Sequence, residues 1–534
     1  MAATLLKILL FPAYFSTDFD VHRNWLSITK LLPIDQWYLE NTSEWTLDYP
    51  PFFAYFEWFL SRFVPGFVAR DGCIELVAKG QFGIPTIFFQ RFTVIASEIV
   101  LFAALQYYVT SSSNLKEKKR NFVVASSIVL SPGLFIVDHI HFQYNGFLLG
   151  ILVLSIVNAK LGNYLQCGFW FAVLLCFKHI FLYIAPCFFV FLLSVYCLNT
   201  QSKLPTTFSE LINCVRWKNL IKLGSTVIAV FLVAFGPFAY YGQLSNVFQR
   251  LFPFARGLTH AYWAPNIWAV YSLIDRVLIQ LTLRVPGAAR IISLVFNKID
   301  YERLNNAGTL TRGLVGDVEF FILPNIKPNH TFLLTLFYQL LSLVPLLINP
   351  TFERFIGSMT LCAWASFLFG WHVHEKAILL VIIPFSFLVP FDRKLLPLYE
   401  TLTASGYVSL FPLLFGSAEW LLKTLLTFVW FVIFSNSFNE VCEFSSSISR
   451  RVFILDRLNI LYIVGLIPVC CVLQMIDIQS RNFAILKRFE FVNLIVYSAY
   501  CSIGVIGSWN MFSWLYFLDD SIWDRRIKEK EKTL

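Results

Sequence analysis

Apolar positions in this chain fall into long runs separated by short polar segments. After an apolar anchor at residues 4–15, the runs cover 89–110, 121–137, 144–158, 164–177, 180–198, 220–241, 331–349, 355–371, 376–391, 402–418, 420–437, 458–476 and 489–517. Runs of about 17–25 apolar residues are the length of a transmembrane helix, and a helix satisfies its own backbone in hydrocarbon. The pattern predicts an all-α, polytopic membrane protein of about fourteen transmembrane helices. Two segments are more polar. Residues 266–283 carry Asp275 and Arg276, and residues 52–63 follow Pro50-Pro51 and carry Glu57 and Arg62. Both are predicted to lie along the membrane surface, the second with a proline at its helix start.

Composition agrees with this pattern. Of 534 residues 57% are hydrophobic and 14% charged, against about 25% charged in a soluble domain. Mean hydropathy is +0.65. The net charge of +9 reads as membrane topology rather than nucleic-acid binding, since no nucleic-acid motif is present. The 11 cysteines are scattered through apolar segments without zinc or redox spacing, as small buried hydrophobes are. No cleavable signal peptide is evident. The first anchor is short for a span, so either it tilts and thins the bilayer locally, or the chain's true start is in doubt.

Charge placement orients the runs. With a cytosolic N-terminus and alternating spans, 116–120, Lys160, the loop with Lys203, Arg216, Lys218 and Lys222, Arg354, Arg393-Lys394 and Arg450-Arg451 fall in the cytosol. The loop with Arg481, Lys487 and Arg488 violates the rule. Two glycosylation sequons, Asn41-Thr42-Ser43 and Asn329-His330-Thr331, fall on the opposite, lumenal side. The tail Lys530-Glu531-Lys532-Thr533-Leu534 has the form of a dilysine signal for retrieval to the endoplasmic reticulum. The expectation is one integral membrane domain over 1–534, with both termini cytosolic. Its parts are a first lumenal loop at 16–88, a long lumenal loop with an interfacial helix at 243–330, and a cytosolic tail at 519–534.

On this topology all eight histidines face the lumen. So do the polar motifs: 18–25, 44–51, Val137-Asp138-His139-Ile140-His141-Phe142-Gln143-Tyr144-Asn145, Phe177-Lys178-His179, 250–257, 259–266 and Trp371-His372-Val373-His374-Glu375-Lys376. Charged groups at a membrane boundary are costly and mark functional sites. Carboxylates serve as general bases toward a hydroxyl. Arg, Lys and His neutralise a departing phosphate. Trp and Tyr suit sugars and headgroups. Together these fit transfer of a sugar from a lipid phosphate.

Plainer readings stand beside each candidate. Asp48 caps the following helix, or touches substrate. Arg23 binds phosphate, or pairs with a nearby carboxylate. His22 is structural. Asp138, His139 and His141 close a span, or bind sugar. His374 and Lys376 start a helix that favours an anion, or pair with Glu375. Arg250 and Arg256 snorkel, or bind. The two His-x-His pairs lack a third ligand at metal spacing.

These motifs resemble the endoplasmic-reticulum glucosyltransferases that use dolichyl phosphate glucose to build the lipid-linked oligosaccharide. Asp18-Phe19-Asp20, Arg23-Asn24-Trp25, Leu47-Asp48-Tyr49-Pro50-Pro51, His141-Phe142-Gln143-Tyr144-Asn145 and Val373-His374-Glu375-Lys376 carry the resemblance, from Asp18 to about residue 420. It implies a GT-C fold with the catalytic Asp in a long first lumenal loop. It also implies a multi-pass endoplasmic-reticulum membrane enzyme with a lumenal active site. The substrates implied are dolichyl phosphate glucose and a dolichyl-diphosphate-linked oligosaccharide in the bilayer, with no cofactor, metal or nucleic acid. An inverting single displacement turns a β-linked donor into an α-1,3 product. Asp18 is then the general base, with Asp20 and after it Asp48 as rivals. Arg23, Asp48, Tyr49, His141, Gln143, His260, Trp263, His374 and Lys376 are substrate-binding candidates. The stretches 257–266 and 370–377 point within the family to action on the monoglucosylated chain, adding the second glucose. The alternatives are the first α-1,3-glucosyltransferase of the pathway, a lipid-linked sugar transporter, and a dolichyl-phosphate-mannose enzyme of the same fold. Against the transporter, polar groups gather at one boundary rather than at mid-membrane.

Overall fold

The computed structural model describes residues 2–199, 213–252, 257–259, 263–296, 320–414, 419–443, 450–480 and 492–523. His260, Arg256, the loop with Arg481, Lys487 and Arg488, and the dilysine tail lie outside them. Among the described residues the regular elements are helices, and extended pairing is confined to two isolated bridges, Leu198 with Val215 and Thr259 with Val373. Eight of these helices are long and apolar enough to cross a membrane: Ile84–Thr110, Leu115–Ile140, His179–Cys197, Trp217–Tyr240, Pro328–Ile348, Trp420–Val441, Arg457–Gln479 and Val492–Leu518.

Among the described residues these eight meet both criteria, and the fourteen spans read from the apolar runs are not confirmed. The runs at 144–158 and 164–177 form helices Asn145–Lys160 and Tyr164–Phe177, of 16 and 14 residues. That is short of the ~20 residues a span needs. The run at 376–391 breaks into Glu375–Ile378, Leu379–Ser386 and Val389–Phe391, with Pro384 and Pro390 withholding backbone donors. The first anchor is the helix Ala2–Leu9, only 8 residues long. Trp217–Tyr240 shows what the pattern did predict: Ile221, Ile228, Leu232 and Val233 are all exposed hydrocarbon, the surface a lipid solvent favours.

The chain divides into two compact units: Met1–Phe254 with Leu343–Phe355, and Ala255–Ser342 with Ile356–Leu534. The first unit is organised by the helix Thr17–Leu31. Ser16 caps it, accepting from the Asp18 amide at 3.1 Å. Asp18 and Asp20 in its first turn and Lys30 in its last suit the helix dipole. Pro33 ends it, because the residue before a proline leaves the helical region, and Leu32 is extended at φ −100°, ψ 151°. Phe19, Trp25 and Ile28 from this helix pack with Trp37, Tyr38, Leu47, Phe53, Phe142 and Tyr144 in a largely aromatic core. The second helix of the loop, Pro51–Ser61, begins on a proline as expected.

Lys7 ties the N-terminal helix to the span Ile84–Thr110. Its ammonium is buried and lies 2.6 Å from both oxygens of Glu98, and His139 Nε2 is 3.2 Å from Glu98 Oε2. Removing one partner of such a pair strands a buried charge. Lys7→Met is therefore expected to lower stability by on the order of 3 kcal/mol. Lys7→Met combined with Glu98→Gln is expected to recover most of the loss. Melting curves of the detergent-solubilised variants measure both, and equal destabilisation of single and double variants would refute the pairing.

Candidate active site

In the first unit, the start of helix Thr17–Leu31 meets the turn after residues Phe135–Ile140. Gln143 Nε2 donates to Asp18 Oδ2 at 2.6 Å, and His141 Nε2 lies 3.3 Å from the same oxygen. The Ser16 hydroxyl donates to the His141 carbonyl at 2.6 Å while accepting from the Asp18 amide. One serine thus caps the helix and binds it to the turn that carries its partners.

The turn is aimed by an unusual backbone. Phe142 sits at φ 85°, where a non-glycine residue is strained. That twist buries the Phe142 ring against Phe19, at 4.9 Å between centroids, while His141 and Gln143 on either side reach Asp18. Burial of a full phenylalanine offsets the strain. The Asp18 side chain stays 23% exposed, so a hydroxyl from outside the protein has access to it.

Asp18 and Asp20 are now separated. Residues two apart on a helix point about 200° from one another. Asp20 faces the other way, toward the charges of Arg23 and Lys79, and its Oδ1 is buried without a hydrogen-bond partner. Burial pushes the Asp20 carboxyl above its ordinary value, with Arg23 and Lys79 opposing.

Arg23 is turned inward, with Nη1 on backbone carbonyls and Nε buried without a hydrogen-bond partner. Its guanidinium is buried and donates to the Glu75 carbonyl at 2.8 Å and the Gly72 carbonyl at 3.3 Å. A Cβ on Gly80 would stand 2.4 Å from Arg23 Nε, so only glycine lets the loop lie on this side chain. Arg23 therefore holds the 72–80 loop. His22 is likewise internal, with Nδ1 2.9 Å from the buried Glu57 and its ring among Trp25, Phe53 and Tyr144. Burial raises the Glu57 carboxyl and His22 opposes it.

The 44–51 motif docks on the same helix: Asn24 Nδ2 donates to Trp45 O and Trp25 Nε1 to Thr46 O. The N-cap of helix Pro51–Ser61 is Pro50, which gives it no side-chain bond. The Tyr49 ring packs on Trp25 at 4.9 Å and lies under the Lys178 ammonium, also at 4.9 Å. Tyr49, Asp18, His141 and Gln143 thus belong to one aromatic and polar surface.

In the second unit, two motifs more than a hundred residues apart are stitched together. Thr259 bridges Val373, and the His372 amide donates to Leu258 O at 2.9 Å. His372 Nδ1 is 2.8 Å from Gly257 O, with His372 at φ 52°. Asn266 caps the helix Ile267–Arg284 through the Trp268 and Ala269 amides, and Trp268 Nε1 donates to Gly370 O. Trp263 is half-buried, its carbonyl held by Ser498. His374 is the N-cap of the short turn Glu375–Ile378, which contains Lys376. Asp275 accepts from the Phe321, Ile322 and Leu323 amides, so this acid organises a loop.

Arg91 escaped the sequence reading. It is buried, and its guanidinium donates to Ala13 O, Tyr14 O, Ile140 O and His139 O. It clamps the segment before Ser16 to the segment before His141. The available signal was a lone arginine at the head of an apolar run.

A family model described as "ALG6, ALG8 glycosyltransferase family" matches residues 3–512. A protein of Debaryomyces hansenii is 56% identical over 98% of this chain and 94% of its own length. One from Candida glabrata is 56% identical over 98% and 96%, and one from Saccharomyces cerevisiae 54% over 98% and 92%. All three are named dolichyl pyrophosphate Glc1Man9GlcNAc2 alpha-1,3-glucosyltransferase. The functional expectation is corrected accordingly. It assigned the chain to the second glucose of a series with a stated donor. The relatives' names print a glycan composition and a linkage, without a donor or an ordinal, and the ordinal assignment is withdrawn.

The separation of the two acids has a measurable consequence. A carboxyl held above its ordinary value favours the fold while protonated, and this contribution is lost as pH rises through the folded value. Asp20→Asn is therefore expected to melt higher than the parent at neutral pH. The difference should shrink as pH falls toward the ordinary aspartate value of 3.8. A difference independent of pH would refute the burial of Asp20 as its cause.

Proposed function

The chain belongs to the ALG6, ALG8 glycosyltransferase family, and from that premise we propose that it transfers glucose in α-1,3 linkage from dolichyl phosphate glucose to dolichyl-diphosphate-linked Glc1Man9GlcNAc2. Asp18 is the general base. The observation that carries this reading is its carboxylate, 23% exposed and aligned by Gln143 and His141 at the first turn of a helix.

In the transfer, a sugar hydroxyl oxygen of the acceptor bonds to the anomeric carbon of the donor glucose. The anomeric carbon to phosphate oxygen bond breaks, and its electron pair leaves with dolichyl phosphate. The hydroxyl proton passes to Asp18. Attack opposite the leaving group inverts a β-linked donor to an α-linked product. Gln143 and His141 hold the carboxylate toward the acceptor, and Tyr49 offers a sugar an aromatic face. In the second unit His374 and Lys376 are assigned to anion binding. The enzyme works in the endoplasmic-reticulum membrane with its site in the lumen and both termini in the cytosol. The exposed positions of Asn41 and Asn329 in the two sequons are compatible with that orientation.

Asp18→Asn is expected to lower kcat by about 10²–10⁴-fold with protein level unchanged, the range for a general base. Near-parental activity in that variant would refute the assignment. Microsomes given dolichyl phosphate glucose and acceptors carrying no, one or two glucoses are expected to extend the acceptor with one. Extension of another, read by chromatography of the released glycans, overturns the acceptor assignment.

A further inference from the structure

Beyond the three groups at Asp18, a chain of side chains runs back into the protein. Asn145 Nδ2 donates to Gln143 Oε1 at 2.8 Å and to Asp138 Oδ1 at 2.9 Å. Lys178 Nζ donates to Asn145 Oδ1 at 3.2 Å. Asp138 Oδ2 accepts from the Gly146 amide at 2.6 Å.

An amide side chain has a donor end and an acceptor end of nearly the same shape, so a neighbour must decide which way it faces. Here each neighbour leaves one answer. An ammonium only donates, so Lys178 takes the oxygen of Asn145. With its oxygen held there, Asn145 presents its amino group to Asp138, whose Oδ1 accepts one N–H. The other N–H goes to the oxygen of Gln143. That turns the Gln143 amino group toward Asp18. Reversing any link would set donor against donor or oxygen against carboxylate.

We propose that Asn145 and Lys178 are positioning residues for the base, acting through Gln143 to keep an N–H donor, never a carbonyl oxygen, against Asp18. This rests on the assignment of Asp18 as base. The relay fixes the direction of the Asp18 carboxylate and favours its charged form, the form that accepts a proton. Asn145 and Lys178 need touch neither sugar nor phosphate to affect the rate.

The near-isosteric variants Gln143→Met, Asn145→Leu and Lys178→Met, made singly and in pairs, separate this role from others. Each single variant is expected to lower kcat about tenfold, a fraction of what a general base supplies. KM for donor and acceptor should stay within about twofold. The acid limb of the kcat/KM profile should move to higher pH. Because the three act in series, Lys178→Met or Asn145→Leu added to Gln143→Met is expected to cost less than about twofold more. Lys178→Arg, which keeps a donor-only cation, is expected to retain activity.

Losses that multiply in the pairs, losses confined to KM, or an unmoved acid limb would each overturn the relay. Melting curves accompany each variant. Should Asn145→Leu lose its fold, Lys178→Met leaves Asp138 its donors and carries the test alone. Asp18→Asn, assayed in parallel, separates the two readings. Activity in that variant refutes the base, while an inactive Asp18→Asn with multiplying losses refutes the relay only.

Discussion

A carboxylate beside hydrocarbon is costly unless hydrogen bonds replace the water it gives up. The first unit is arranged around that requirement at Asp18. Gln143 and His141 meet the carboxylate, and Ser16 joins the helix that bears it to the turn that bears them. Arg91 holds both approaches with four backbone carbonyls. The strained Phe142 is the hinge of this arrangement, because it lets alternate residues of one short motif serve the core and the carboxylate.

The second unit uses the same physics for different motifs. Backbone bonds join 257–259 to 372–373, and Asn266 and Trp268 tie their helix to 367–370. Asp275 fills a row of backbone amides that would otherwise be unpaired. Polar residues that read as candidate ligands are therefore divided. Some of them hold loops in place, as Asp275 and Asn266 do.

The division was only partly legible beforehand. Helices, their polar boundaries and the His-Phe-Gln-Tyr-Asn motif follow from apolar runs and residue type. The count of spans did not, since apolar runs do not reveal where prolines or short length stop a helix from crossing. Arg23 read equally as a phosphate ligand or an ion-pair partner, and neither reading included its place on the carbonyls of Gly72 and Glu75. A side chain's partners fifty residues away leave no local trace.

The amino-acid order by itself determined a helical, hydrocarbon-rich chain with its chemistry in a few short motifs. Periodicity and composition are local quantities and suffice for that. Only the tertiary structure separated Asp18 from Asp20, because their surroundings depend on which face of one helix meets the turn at 141–143. It alone showed that Asn145 and Lys178 stand behind Gln143, since the direction of an amide depends on neighbours brought together by folding.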